Sequence, residues 1–338
     1  SRPRVNGLAF AFDLPNSELM NKFVELRFKH GLLFYPAGEK TLRFRLHTAF
    51  KTKDLDFEII IVDNASKEED FKNLYNNLGL MTQVKIIRNK INSGFASGNM
   101  LGINYAKGKY YFFINNDCIL LNNTSKILKD FLDFNEDVGL ATAKVLDNNG
   151  NYSSSYKQFP HLIKQLFGNS IQRIISKNRF PSNKIKLEKN SEVEVISGSC
   201  MFFRRDVFCS IGGFDTVFFL YCEEEDICKR VWDFGKKVYF IPKAEVFHEA
   251  GGSTEKSFEI EREFYISYYH LLDKHYNFLG ILLLKIALFI KLFFRIFKKK
   301  NGFKIFLAAI QGFSIKSSLR YRQKLNNLGE NKYYSIIN

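Results

Sequence analysis

The sequence predicts an α/β fold with a largely parallel sheet covered on both faces, and three observations carry that prediction. Short β-branched or aromatic apolar runs recur at Phe57–Val62, Gln83–Arg88 and Tyr110–Asn115, separated by helix-like segments. Two of these runs end in polar side chains, Asp63-Asn64 and Asn115-Asn116-Asp117, at the strand ends where open α/β sheets bind ligands. The chain has 338 residues, 46% of them apolar and 25% charged, enough for one large domain or two modest ones with a real core.

Residues 7–50 read as a strand at Leu8–Leu14, a helix at Ser17–Lys29, a short strand at Leu32–Tyr35 and another at Thr41–Arg45. The strand–helix rhythm then runs from residue 57 to 117. Residues 147–192 are richer in Asn, Ser and Lys without a clear period, which reads as a looser insertion. Order returns at Val193–Phe203, followed by a helix from Arg205, a Gly212-Gly213 turn, an acidic helix Glu223–Phe234, a strand Lys237–Ile241 and a long helix from about Glu255.

Five segments carry possible chemistry. Asp63 closes the run Glu58–Val62, either facing a ligand at the sheet edge or capping the next helix. The stretch Asn92-Ser93-Gly94-Phe95-Ala96-Ser97-Gly98-Asn99 has glycines four apart, so it is neither a dinucleotide fingerprint nor a phosphate loop with its Lys. It offers free N–H groups to an anion or sugar, or is a simple tight turn. Asp117, at the tip of an apolar strand, suits a hard divalent cation shared with a diphosphate, or ends the strand in an ordinary turn. Glu223-Glu224-Glu225-Asp226 either complements a helix dipole or, directly after the aromatic Phe218–Tyr221 stretch, supplies a general base. Four consecutive acids cannot all face one partner, because successive helical residues turn by about 100°. His248 stands between an apolar strand and Gly251-Gly252, as a structural residue or a ligand.

Taken in order, I-I-I-V-D-N-A-S, N-x-G-F-A-x-G-N, I-N-N-D, S-G-S-C-M-F-F-R-R with G-G-F-D, Y-C-E-E-E-D-I-C-K-R and F-H-E-A-G-G-S resemble family 2 glycosyltransferases of GT-A fold, especially the rhamnosyltransferase-like branch. The resemblance covers residues 57–277. It implies a GT-A nucleotide-diphospho-sugar transferase sandwich, with Asp63 touching the nucleotide base and Asn92, Gly94, Asn99, Asn116 and Gly198 lining the nucleotide-sugar pocket. It further implies Mg²⁺ or Mn²⁺ held by Asp117 and His248, Glu224 as the catalytic base, and Glu223 and Asp226 as its flanking acids. The family usually carries Asp at the Glu224 position, and the extra methylene moves the carboxylate by about 1 Å.

The front of the chain departs from that pattern. No T-Y-N-like strand precedes Glu58; instead R-V-N-G-L-A-F-A-F-D-L-P, K-H-G-L-L-F-Y-P-A-G-E-K and T-L-R-F-R-L in residues 4–56 resemble the C-terminal part of a class III, lysine 6-aminotransferase-like enzyme. In that family the arginine matching Arg43 binds a substrate carboxylate, but the cofactor-binding lysine has no counterpart here, so pyridoxal phosphate chemistry is not expected. Leu32–Tyr35 is spaced to fill the vacant position in the transferase sheet.

Charge sharpens the partner. The net +15 divides into 10 basic and 6 acidic residues over 1–56, 27 and 28 over 57–273, and 12 and none over 274–329. A nucleic-acid binder more often concentrates its excess on the main fold, and no reader motif accompanies the tail, so nucleic acid is not an expected partner. Phe278–Phe297 is apolar and long enough to span a bilayer but is interrupted by Lys285, Lys291 and Arg295, which with Lys298 fall on one side of a helix. An amphipathic helix lying on an anionic membrane surface through residues 278–300 is expected. Cys118, Cys200, Cys209, Cys222 and Cys228 form no C-x-x-C pair, and no leader is visible at Ser1, consistent with a cytoplasmic protein peripheral on the inner face of the plasma membrane.

The expected organisation is therefore an atypical N-terminal α+β segment (1–56), the transferase domain (57–277) with its first strand missing or replaced, and a basic amphipathic helical tail (278–338). The expected activity is inverting sugar transfer from a nucleoside-diphosphate sugar to a glycan or polyprenyl-linked acceptor in surface polysaccharide synthesis. The alternative is an inactive fusion retaining the transferase fold as a membrane-associated scaffold.

Overall fold

The computed structural model describes residues 57–147, 150–153, 155–160, 187–248, 257–299 and 301–323, and of residues 1–56 only the course of four strands. Those strands, β1 (Arg4–Asn6), β2 (Ala9–Asp13), β3 (Phe34–Pro36) and β4 (Thr41–Arg45), form an antiparallel sheet in the order β1-β2-β4-β3. The expected helix Ser17–Lys29 lies outside the described residues. β3 pairs with β4, Phe34 opposite Phe44, rather than filling a place in the transferase sheet. A short excursion between β3 and β4 makes a local hairpin pairing the easier one to form.

The chain continues through β5 (Ile59–Asn64), α1 (Glu68–Leu78), β6 (Val84–Asn89), α2 (Gly94–Ile103), β7 (Tyr110–Ile114), β8 (Cys118–Leu120), α3 (Thr124–Phe134) and β9 (Val138–Leu146). It then forms β10 (Tyr156–Lys157), β11 (Ser191–Glu192), β12 (Val195–Ile196), β13 (Cys200–Arg204), α4 (Arg205–Ser210), α5 (Glu223–Asp233) and β14 (Lys237–His248). Three further helices follow: α6 (Phe258–His275), α7 (Phe278–Arg295) and α8 (Gly302–Ile310).

The sheets are mixed, which corrects the largely parallel expectation. β5 and β6 pair in parallel, as do β9 and β14, but β13 runs antiparallel to both β7 and β9. The cause is the excursion at 147–192. The chain that leaves β9 re-enters the sheet beside it at β13, running in the opposite direction. The six-stranded sheet takes the order β11-β14-β9-β13-β7, with β8 added to the far end of β14.

Side chains of β13 alternate between two cores, as strand geometry requires. Met201 and Phe203 join Phe113, Phe208, Phe214, Ile227, Val231 and Phe240 beneath α5, while Cys200 and Phe202 join Leu128, Leu132 and Val246 beneath α3. α5 and α3 are thus held on opposite faces of one sheet. The third core belongs to the tail: Leu271, Leu272, Leu284, Leu288, Leu292 and Ile305 close around Phe218 and Cys222, which immediately precede α5.

The tail's amphipathicity is arranged differently from the sequence expectation. Lys285 pairs with Asp273 of α6 at 2.6 Å, and Arg295 bonds both Glu261 and the Tyr265 hydroxyl. Half of the expected basic stripe is therefore turned inward onto α6, where acids are available. No described helix is long and apolar enough to cross a membrane.

Candidate active site

Strand register builds the first part of the site. β8 pairs antiparallel with the end of β14 so that Cys118 lies opposite His248, which brings the preceding residue, Asp117, against the imidazole. Asp117 Oδ1 is 3.2 Å from His248 Nε2 and is otherwise buried without a hydrogen-bond donor. Cys118 contributes the third ligand-type atom, within 4.8 Å of the other two. Burial drives the Cys118 thiol far up, helped by Cys200 and Asp117, so it stays protonated and donates to the Ser199 carbonyl at 3.5 Å. A carboxylate oxygen left without a donor, beside an imidazole nitrogen, fits Mg²⁺ or Mn²⁺. Asp117 and His248 would hold such an ion, which would add positive charge beside a diphosphate.

The glycine loop is organised by Asn64, at the end of β5. Its side-chain amide donates to Asn92 Oδ1 and to the Gly94 carbonyl, both at 3.1 Å, while its oxygen accepts from Ser93 N, Ser93 Oγ and Asn89 Nδ2. Gly94 has φ +84°, and a Cβ there would meet the Phe219 carbonyl at 2.2 Å, so only glycine fits. Phe95 N donates to that same carbonyl at 3.0 Å, which docks the start of α2 against the segment leading to α5. Asn99 lies on α2 with its amide donating back to Phe95 O at 2.9 Å, and Asn116 is exposed beside Asp117.

Asp63 is 5% exposed. Its Oδ1 accepts from Ser66 N at 3.2 Å and its Oδ2 lies 3.4 Å from Arg88 Nε, while Arg88 also pairs with Glu68 and covers the Phe71 ring. The carboxylate is thus anchored at the β5 edge by a buried guanidinium. Its Oδ1 contact closes the turn after β5 and does not cap α1, whose N-cap is Lys67 without a side-chain bond.

The acid helix begins under strain. Tyr221 and Cys222 both have left-handed backbone, φ 72° and 66°, an arrangement worth about 1–3 kcal/mol per non-glycine residue that surrounding packing must offset. The sharp turn starts α5 directly at Glu223. The four acids then separate: Glu223 and Asp226 are buried, and Glu224 and Glu225 turn towards Lys157 of β10, whose Nζ lies 2.9 Å from Glu224 Oε1 and 2.5 Å from Glu225 Oε1. Burial pushes Glu223 well above the usual carboxylate range and raises Glu225 as well, and the charge of Glu224 adds to both. Burial alone would lower Lys157, but the two carboxylates outweigh it and hold its ammonium firmly charged.

Gly198 connects the two halves. A Cβ at Gly198 would stand 4.0 Å from Glu224 Cβ and Cδ and from Phe95 Cζ, so this backbone faces the acid and the glycine helix together. The neighbouring Ser199 carbonyl accepts from Asn115 N at 3.1 Å, holding the Asp117 loop. Asp226 points elsewhere. It is fully buried, with Arg230 at 2.6 Å, His275 at 2.7 Å and Lys274 at 2.8 Å, and Lys274 also reaches Asp215 at 2.7 Å. Its surroundings make it a clamp between α5 and α6. Sequence reasoning missed Lys157, which sits in the aperiodic stretch; the signal was the acid run itself, which needs a cation wherever it is buried.

Residues 33–212 match glycosyl transferase family 2, more than half of the chain. The chain belongs to glycosyl transferase family 2. The match starts within the segment that resembles an aminotransferase, and the comparisons support the glycosyltransferase alone. The N-acetylglucosaminyl-diphospho-decaprenol L-rhamnosyltransferase of Mycobacterium tuberculosis (strain CDC 1551 / Oshkosh) is 29% identical over 136 residues, covering 39% of this chain and 44% of the relative. Rhamnosyltransferase WbbL of Escherichia coli (strain K12) is 28% identical over 168 residues, 46% of this chain and 61% of the relative. The family 2 chain therefore spans about half the length of these curated relatives. A crystal structure of GalNAc-T7 with UDP, GalNAc and Mn2+ aligns with TM-score 0.44 and 17% identity over 67% of this chain and 47% of that one.

Proposed function

We propose that this family 2 chain moves a sugar, rhamnose or a close relative, from a nucleoside-diphosphate donor to a lipid-linked glycan acceptor during surface polysaccharide synthesis, with inversion at the anomeric carbon. The observation that carries the reading is the Ser197–Ser199 turn, which holds the Asp117 loop on one side and faces Glu224 on the other. The two relatives named above are both rhamnosyltransferases, one of them named for a diphospho-decaprenol acceptor.

Asp117 and His248 would hold Mg²⁺ or Mn²⁺, which supplies charge neutralisation to the departing diphosphate. Asp63, Asn92, Gly94, Asn99 and Asn116 line the donor's side of the cleft, and Gly198 leaves the approach to Glu224 open. Glu224 accepts the proton of the acceptor hydroxyl as its oxygen bonds to the anomeric carbon and the bond from that carbon to the diphosphate breaks. Lys157 holds Glu224 in place and offsets the repulsion among the neighbouring acids. Glu223 and Glu225, kept towards the neutral form by burial, do not compete for the proton. We read Asp226 as positioning α5 rather than touching substrate, and residues 1–56 as adding no cofactor chemistry. The enzyme works as a cytoplasmic peripheral protein at the inner face of the plasma membrane.

Incubating the chain with Mn²⁺, a panel of nucleotide sugars and a short-chain polyprenyl-diphosphate-linked acceptor tests the reading. Release of nucleoside diphosphate that requires one donor and the acceptor together supports it; no release above background with any donor contradicts it.

A further inference from the structure

α7 presents an uncovered apolar row. Leu279, Leu283, Ile286, Ile290, Phe293 and Phe297 follow the three-and-four spacing of one helix face and are between 38% and 76% exposed. The opposite face, with Leu284, Leu288 and Leu292, is the one buried against α6. α8 adjoins the row, since Phe306 packs on Phe289 and Phe293 at ring distances of 4.9 and 5.7 Å, and it adds exposed Phe303, Leu307 and Ile310. An open apolar groove of about 330 Å³, lined by Tyr269, Phe278, Leu282 and Phe289, runs along one side of the row. A row of exposed apolar side chains next to further exposed apolar residues is the kind of patch that marks an interaction surface.

The charges around the row select its occupant. Lys291, Lys298 and Lys299 flank it, all exposed and, among the described residues, without a carboxylate in ion-pair range. No acidic residue occurs between 274 and 323. A two-fold dimer through this face would bring these cations together with nothing to neutralise them. An anionic surface with an apolar interior meets both requirements.

We propose that α7 and α8 lie in the plane of an anionic phospholipid bilayer, with the Leu279–Phe297 row among the acyl chains and Lys291, Lys298 and Lys299 at the phosphates. This deepens the membrane-surface reading of the proposed function, and its geometry differs from the sequence expectation. The apolar row enters the lipid, and only part of the basic stripe serves the headgroups, the rest being tied to α6. The helices do not cross, because neither is long and apolar enough.

Vesicle flotation of the full chain tests this, using phosphatidylcholine with and without phosphatidylglycerol. The chain floats with the phosphatidylglycerol vesicles. The double variant Ile286→Asp, Phe293→Asp lowers the bound fraction by about tenfold or more, because two charges enter the apolar layer. Lys298→Gln with Lys299→Gln removes the dependence on phosphatidylglycerol and on salt. Circular dichroism confirms that the variants fold, since all four positions are exposed. Equal flotation of the double variant and the parent chain overturns the proposal. So does sedimentation showing a parent dimer that the double variant dissolves without any vesicle binding by the parent. Transfer to a water-soluble acceptor analogue is unchanged in every variant, so loss of flotation is separate from any failure of the transferase reading.

Discussion

Lys157 between Glu224 and Glu225 illustrates how a buried acid cluster is made tolerable. Three carboxylates within one turn cannot all ionise in a shielded site without a cation, and Lys157 is the cation that both Glu224 and Glu225 contact. Lys157→Met should lower kcat and move the acidic limb of the rate profile to higher pH, because carboxylates that lose a neighbouring positive charge hold protons more tightly. Lys157→Arg should retain most activity and the original limb. At the metal pair, Asp117→Asn should weaken Mn²⁺ binding about tenfold or more, read by calorimetry with the metal alone, and His248→Ala should do the same. Glu224→Gln should leave that titration unchanged.

Among the larger pieces, α5 and α6 are joined by a buried charge network rather than by apolar packing alone. Burial raises the Asp226 carboxyl, but His275, Arg230 and Lys274 outweigh it and hold the pKa below the usual range; His270, against burial and with Lys274, does so for Asp215. A carboxylate depressed in the folded state contributes stability above its unfolded pKa of about 4 and loses it as pH falls further. Urea midpoints should therefore drop on acidification through about pH 4, and Asp226→Asn should flatten that drop while costing about 3 kcal/mol near neutral pH. Gly94→Ala should be disruptive in its own way, since the Phe219 carbonyl occupies the space a methyl would need. The strands and helices over 57–115 and 193–241 were readable because apolar runs are local signals, whereas β8, α3 and β9 were not assigned from the sequence. The strand order was not: β13 slips in antiparallel beside β9 because of where a long excursion returns, which no local pattern encodes. The Asp117–His248 pairing was accessible only through the motif resemblance, because the register that joins them spans more than a hundred residues. The acid run signals that a cation is needed but not that Lys157, or His275 and Lys274 for Asp226, supply it.

Across the chain, chemistry and attachment divide along the line that the charges mark. The nearly neutral segment 57–273 holds the site, and the acid-free stretch after it supplies the face assigned to the bilayer. The two are mechanically continuous, because the tail's core includes Phe218 and Cys222 at the entrance to the acid helix. The proposed chemistry depends on Glu224 being the group that takes the acceptor's proton. Turnover of the chain, Glu224→Gln and Glu224→Asp should be compared with one donor, one lipid-linked acceptor and saturating Mn²⁺. The account predicts that Glu224→Gln loses about a hundredfold or more in kcat while Mn²⁺ binding and folding stay intact, and that Glu224→Asp retains measurable transfer. Equal turnover by Glu224→Gln and the parent chain would contradict it.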